Sequence, residues 1–383
     1  MAQRPLDSNV APGLRYLRHL DLMLVVSTLV VSVIGVLMVY SATRTKLRLL
    51  GDNPELYLRH QATYVVLGLV AMAIFAAIDY HRLEELGLVA YAGVVLLLLA
   101  VMSPVGSRAL GAQRWFQIGS FQLQPSSFAV LALILAMAWM VQRWHGEIDV
   151  KRLGILLAMG ALPVLLVAVQ PDLGTAITLG CVLGIMLTVS GVRARYLLIV
   201  AGVALLVTVA GLHLHVLKNY QLDRLDAFLK QSDPNSCGST SAGYNLCESK
   251  IAIANGGLTG KGLFHGPQTN LQYVPEQQTD FIFTAVGEQL GFAGAATLLG
   301  LFGIMLWRVV RTAQLAYDQV GTLLCAGVLA YVAFSVFQNA GMTMGIMPIT
   351  GIPLPLVSYG GSSTIATFAG VGMVLNVGMR KYR

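Results

Sequence analysis

The sequence predicts an all-α polytopic membrane protein of about ten transmembrane helices, with one large extracytoplasmic loop between the seventh and the eighth. Three observations carry that prediction. Hydrophobic residues make up 56% of the chain and charged residues only 11%, a balance foreign to soluble domains. The apolar residues gather into uncharged runs, many near the roughly 18 residues that cross the hydrocarbon core as a helix. The longest polar break, 216–279, ends on a carboxylate, Asp280, at the head of the next apolar run.

The first span, Leu22–Ser41, follows Arg4, Arg15 and Arg18, lies too far into the chain and lacks the tail of a cleaved signal peptide, so it stays as a helix. Ala62–Ile78 and Leu86–Met102 come next. Phe128–Val141 is short and recruits Pro125-Ser126-Ser127. Leu153–Val169, Leu173–Ser190 and Tyr196–Leu212 complete the first seven. Phe281–Trp307, Val320–Phe337 and Thr364–Val377 follow the polar break, the last recruiting Ser362-Ser363. The whole of 1–383 reads as one membrane domain. It has no repeat of 20–50 residues and no pair of similar halves, so neither a solenoid nor a repeat-built transporter is indicated.

With the N-terminus inside, ten spans return the C-terminus to the same side, with Arg380, Lys381 and Arg383. Short inner loops then hold Arg143, Lys151, Arg152, Arg193, Arg195, Arg308 and Arg311, following the positive-inside tendency, while Arg44, Lys46, Arg48 and Arg59 count the other way. The net charge of +7 fits anchoring to anionic headgroups and does not point to nucleic acid. Cys181 and Cys325 sit inside spans as packing residues. Cys237 and Cys247 share the large loop, which this topology places in an oxidising compartment; a disulfide and two free thiols are the alternatives. Within the loop, 233–239 is turn material. Before it, Leu222, Leu225 and Leu229 fall on one side of a helical repeat and suit a short amphipathic helix on the outer membrane surface.

Three polar stretches carry candidate chemistry. In 108–119, Arg108 and Arg114 can grip phosphate oxygens in bidentate geometry and Gln117 can add a contact; snorkelling beside Trp115 is the alternative. In 243–280, Gly256, Gly257, Gly260, Gly262 and Gly266 allow sharp turns that bring amide N–H groups to a ligand, with Lys261 as a point charge and Gln278 close to Asp280. Asp280, in Thr279-Asp280-Phe281-Ile282-Phe283, is poised where a polar loop meets the bilayer; it reads as a functional acid, a helix N-cap, or both. Glu288, about two turns deeper, can orient a second group, bind a cation or hydrogen-bond across helices. In 339–363, Pro348, Pro353 and Pro355 with Gly351, Gly360 and Gly361 forbid one regular helix, yet the stretch is uncharged. It reads as irregular backbone buried against protein or lining a wet cavity, with Ser358 a candidate ligand contact.

These residues resemble the SEDS proteins, the RodA/FtsW polytopic glycosyltransferases. The resemblance rests on the arginine–tryptophan loop, Gln170-Pro171-Asp172-Leu173-Gly174-Thr175, the Gly-rich loop leading to Thr279-Asp280-Phe281-Ile282-Phe283, and Gly351-Ile352-Pro353-Leu354-Pro355. It covers all ten spans. The 170–174 run, the absence of the Gly-Asn-Ser element of division proteins, and Phe264-His265-Gly266-Pro267-Gln268-Thr269 look like the RodA, elongation branch. The resemblance implies polymerisation of lipid II, with inversion, on the outer face of the bacterial cytoplasmic membrane, for cell elongation and shape. It implies Asp280 as catalytic residue, Asp172, Glu288, Pro353 and Pro355 in support, and a class B penicillin-binding protein with other elongation-complex proteins as partners. A divalent cation such as Mg or Mn could assist the departing pyrophosphate; no organic cofactor is implied. A lipid II flippase and a non-catalytic scaffold are the alternative readings.

The chain departs from that pattern at one place. Where the family usually reads Gln-Pro-Ser-Glu-x-x-Lys, it has Gln124-Pro125-Ser126-Ser127-Phe128-Ala129-Val130, so an acid and a base are lost together. No unpaired buried charge remains, and folding should tolerate the loss. Substrate binding is what the departure puts at issue.

Overall fold

A computed structural model describes residues 19–381, apart from 105, 110–111, 120, 145–147, 214–218, 232, 234–236 and 238–239. Arg4, Arg15, Arg18, most of the 233–239 turn and Arg383 lie outside the described residues. Helix α1 (Leu22–Leu50) begins where the Asp21 side chain accepts the Leu24 amide and ends at Gly51 in a left-handed conformation. At 29 residues it outreaches the hydrocarbon core, so its last turns stand clear and Arg44 meets the Phe264 carbonyl at 2.7 Å. Then come α2 (Leu56–Ala77), the short α3 (Tyr80–Glu85) and α4 (Gly87–Val101).

The arginine–tryptophan stretch, expected as a tight loop, is a small antiparallel sheet of β1 (Ser107–Ala109), β2 (Ala112–Ile118) and β3 (Phe121–Leu123). Gly119, at φ 60°, supplies the left-handed residue between β2 and β3. This sheet is the departure from an all-α chain among the described residues. Helices α5 (Pro125–Arg143), α6 (Val150–Val169), α7 (Leu173–Val189) and α8 (Ala194–His213) follow.

The polar break is largely helical: α9 (Asn219–Leu229), α10 (Ser241–Gly256) and the single turn α11 (Pro267–Asn270). The candidate cysteines are bonded, Cys237 to Cys247. Closing so short a loop contributes about 3 kcal/mol in the chain-entropy account. The chain ends with α12 (Ile282–Gln314), α13 (Gln319–Thr343) and α14 (Gly361–Met379). Among the described residues, seven helices are long and apolar enough to span a membrane, and three shorter apolar ones, α4, α7 and α8, bring the spans to the expected ten.

Helices α5, α13 and α14 form the centre: 72%, 72% and 83% of their most apolar windows are buried, against 22% for α2. A second, smaller core of Ala227, Leu246, Val274, Phe281, Met342 and Ile349 lies beneath the outer helices. Phe281 belongs to that small core while Ile282 and Phe283 belong to the main one, so Asp280 stands at the joint between them.

Two features position the site. Residues 344–360 carry neither helix nor strand, yet Leu354, Leu356 and Val357 are buried. A Cβ at Gly35 of α1 would meet Val357 Cα at 2.6 Å, which shows how closely α1 is laid against this irregular segment. Helix α12, expected as one continuous span, is broken at Gly291 (φ 67°, ψ −166°). The Gly-rich loop mates with the break. The amides of Lys261 and Gly262 donate to the Glu288 and Gln289 carbonyls, each at 3.0 Å, while the amides of Phe292 and Ala293 donate back to Gly257 (2.8 Å) and Leu258 (3.0 Å). The loop thus satisfies backbone groups that a break inside a membrane would otherwise orphan.

Candidate active site

Asp280 is not the N-cap of α12. Phe281 takes that position, without a side-chain capping bond, so the capping reading of Asp280 is corrected. What holds Asp280 is its backbone. The Asn339 side-chain amide donates at 2.8 Å both to the Asp280 carbonyl and to the Ile352 carbonyl, tying the acid to the proline-rich segment. Its carboxylate faces Gly351, where a Cβ would lie 3.0 Å from Oδ2; glycine at φ 73° leaves that face open. The same point lies 3.7 Å from Arg224 Nη1, and Arg224 donates to the Thr350 carbonyl at 3.2 Å.

Arg224 was not among the residues the sequence singled out. It rides on α9, the helix expected on the outer membrane surface, which docks on α10 and buries Ala227 in the small core. Leu229, on the expected apolar stripe, is 66% exposed. The docking aims Arg224 at Asp280. Burial pushes the Asp280 carboxyl up to about 6; Arg224 and a side-chain hydrogen bond with Thr279 pull it down, and Glu276 and Asp172 push it further up. A carboxylate poised there is ionised at neutral pH and still basic enough to take a proton.

The second arm is Asp172, which N-caps α7 by accepting the Thr175 amide at 3.2 Å and the Thr175 hydroxyl at 3.0 Å. The Gln124 side chain donates to it at 3.2 Å, and Arg114 Nη1 stands 3.8 Å away. Arg114 also donates to the Gln170 carbonyl at 2.9 Å and to the Pro171 carbonyl. These contacts turn Arg114 toward the 170–172 turn and not toward headgroups. Gly174 links the two arms: a Cβ there would meet Ile352 at 2.7 Å and the Thr350 carbonyl oxygen at 2.9 Å.

Other candidates are placed differently. Ser358 is buried and its hydroxyl accepts the Leu354 amide at 2.8 Å, so it closes a turn. Glu288 is wholly buried and accepts the amides of Gln268 (2.7 Å) and Thr269 (3.0 Å) and the Thr269 hydroxyl (2.6 Å), seating α11. Lys261 has an exposed side chain, and its amide is committed to α12, so the glycine-rich loop also mates with the broken helix. Gln278 offers its carbonyl to the Tyr359 amide at 2.8 Å and its side chain to Glu276 at 3.2 Å. Gln117 is exposed on β2, its side chain on the Gly119 carbonyl at 2.6 Å. Arg108 lies on β1 and its side chain is outside the described residues. Pro353 and Pro355 hold the irregular segment beside Asn339. Ser127 is half-buried and Val130 buried on α5, beside Ser126, which reaches Asp172 at 3.4 Å.

For a divalent cation, Glu276 and Asp172 are the carboxylates that act on Asp280, but no three His, Cys, Asp or Glu side chains among the described residues meet at metal-binding spacing. The described side chains alone therefore do not close a metal site.

Comparison with known proteins places this arrangement. Residues 21–383 match the model of a family of cell cycle proteins that groups FtsW, RodA and SpoVE. The chain is 35% identical over 380 residues to a probable peptidoglycan glycosyltransferase FtsW of Geobacter metallireducens, covering 98% of this chain and 99% of that one. It is 36% identical over 360 residues to the peptidoglycan glycosyltransferase MrdB of Escherichia coli K12, covering 94% and 93%. Among solved structures it resembles a chain of a peptidoglycan synthase complex (TM-score 0.78, 31% identity, 95% of this chain and 99% of that one). It also resembles the rod shape determining protein RodA of Thermus thermophilus (TM-score 0.69, 28% identity, 95% and 98%).

Proposed function

We propose, for a chain that belongs to the FtsW/RodA/SpoVE family, the SEDS peptidoglycan glycosyltransferases, that Asp280 is the general base of lipid II polymerisation. The 4-hydroxyl of the acceptor sugar gives its proton to the Asp280 carboxylate as its oxygen attacks the donor's anomeric carbon. The glycosidic carbon–oxygen bond to the lipid pyrophosphate breaks, configuration inverts, and undecaprenyl pyrophosphate leaves. Arg224, beside Asp280, is placed to meet the charge that builds on the leaving group. The observation that carries this reading is the Asp280 carboxylate itself: raised by burial, uncommitted to capping, and open at Gly351.

The transport reading rests on buried polar groups that could line a path. Each of them is occupied in place. Glu288 seats α11, Asp172 caps α7, Gln338 donates to the Pro348 carbonyl at 2.8 Å, and Asn376 donates to the Phe75 carbonyl at 2.6 Å while accepting from Arg380. We assign both termini and the basic loops to the cytoplasm, the Asp280 end to the outer face, a class B transpeptidase as partner, and the elongation branch from the 170–175 and 264–269 runs.

The test is glycan polymerisation from labelled lipid II by the purified protein co-expressed with its transpeptidase partner. Long strands from wild type and none from folded Asp280→Asn are expected. If wild type is silent and Ser127→Glu/Val130→Lys restores strands, the lost ionic pair limits the enzyme. Silence from all of them with a verified partner overturns the polymerase reading.

A further inference from the structure

At the end of α12 farthest from Asp280 there is a cavity of about 180 Å³ that the polymerase chemistry does not use. Its walls come from three separated parts of the chain: His19 and Asp21 before α1, Arg308, Arg311 and Leu315 at the end of α12, and Lys381 after α14. Among the described residues, three permanent cations therefore converge with one carboxylate. Asp21 pairs with Arg308 at 2.7 Å, and both side chains are mostly buried there, so Arg308 is fixed in the wall and does not sweep through solvent. A space of that size suits a phosphodiester and not a drug-sized ligand.

The surroundings favour an amphiphile over a free ion. Leu315, in the wall, is 43% exposed, and Leu22 and Val26 on the first turns of α1 are 68% and 55% exposed. Trp307 is 54% exposed with the Arg308 guanidinium 5.3 Å from its ring, an interfacial aromatic at headgroup depth. A charged mouth thus opens onto apolar, bilayer-facing helix surface, where acyl chains can lie while a phosphate sits among the cations.

We infer that this cavity binds the headgroup phosphate of an anionic phospholipid, clamping the ends of α1, α12 and α14 together. The binding is tested on the full-length protein in a zwitterionic detergent by titrating short-chain phosphatidylglycerol, short-chain phosphatidylcholine and inorganic phosphate. The readouts are lipid retained in native mass spectrometry and the apparent Tm. Phosphatidylglycerol is expected to bind at least about tenfold more tightly than phosphatidylcholine. Arg311→Gln should abolish that preference without lowering the Tm in phosphatidylcholine, because Arg311 is exposed and the Asp21–Arg308 pair is left intact. Lys151→Gln/Arg195→Gln, which removes exposed cations outside the cavity, should keep it. Equal affinity for the two lipids overturns the proposal. So does loss of the preference in the Lys151/Arg195 variant, which would mean diffuse charge. Protection by inorganic phosphate equal to that by phosphatidylglycerol overturns it in favour of a free-anion site.

Discussion

Asp280 and Glu288 are two carboxylates eight residues apart at the head of one helix, and the protein treats them in opposite ways. Glu288 is wholly buried and meets two amides and a hydroxyl, each within 3.0 Å. Asp280 is only partly buried, meets no backbone amide among the described residues, has a glycine where another residue would cover it, and carries a raised carboxyl pKa. A buried acid whose acceptor sites are filled holds structure together. An acid desolvated without such partners is held at a cost, and that cost makes it reactive. The difference separates chemistry from scaffold on one helix without appeal to either residue's type.

Removing the two acids should have opposite effects. Asp280→Asn should lower strand formation by about 10²–10⁴-fold, the range of a lost general base. The same substitution should raise stability. A carboxyl whose folded pKa, about 6, lies above its unfolded value favours the fold only while protonated, and that contribution is lost as pH rises through 6. At pH 7.5 the neutral amide should therefore raise the apparent Tm, by an amount equivalent to about 1–2 kcal/mol after allowance for the water that still reaches the group. Glu288→Ala should do the reverse. Three donors lose their acceptor, at about 3–5 kcal/mol, seen as a lower Tm and yield, while the folded fraction keeps activity per molecule within a few-fold. Loss of activity without loss of stability in Glu288→Ala would sink the distinction.

Gly260→Ala sharpens the same contrast. Gly260 sits at φ 82° and a Cβ there would run into the Gln289 carbonyl that the loop satisfies. Strain and the displaced loop together should cost about 2–3 kcal/mol, read as a fall in Tm with the pH profile of the surviving activity unchanged.

Much of this was legible in the sequence because it follows from local chemistry. The spans come from uncharged runs, the irregular segment from Pro348, Pro353 and Pro355, and the weight on Asp280 from an acid at a bilayer boundary. What was not legible depends on partners far along the chain. The break at Gly291 has no signal of its own, since a lone glycine in an apolar run is ordinarily tolerated; its complement, Gly257 to Gly262, lies some thirty residues upstream. A glycine-rich loop built to mate with a broken helix reads the same as one built to cradle phosphate. Arg224 looked like one charge on a surface helix because its orientation is set by the Thr350 carbonyl, 126 residues away.

Arg224 gives the subtlest test, because it tunes the site without completing any scaffold around Glu288. Its guanidinium is the strongest of the influences that hold the Asp280 carboxyl down against burial. If Asp280 is the base, activity should fall on the acid side through about pH 6, as the carboxylate is protonated. Arg224→Gln removes the opposing charge, so the Asp280 carboxyl should rise further and the acid limb should move to higher pH. Arg224→Lys should leave the limb closer to wild type, since the charge persists, yet lower the maximal rate, because an ammonium cannot reproduce the guanidinium geometry toward the Thr350 carbonyl and a pyrophosphate. The profile is measured as initial rates of lipid II consumption between about pH 5 and 8.5. A uniform loss with an unmoved limb would show that Arg224 acts only on the leaving group, and would separate its contact with Asp280 from its role in catalysis.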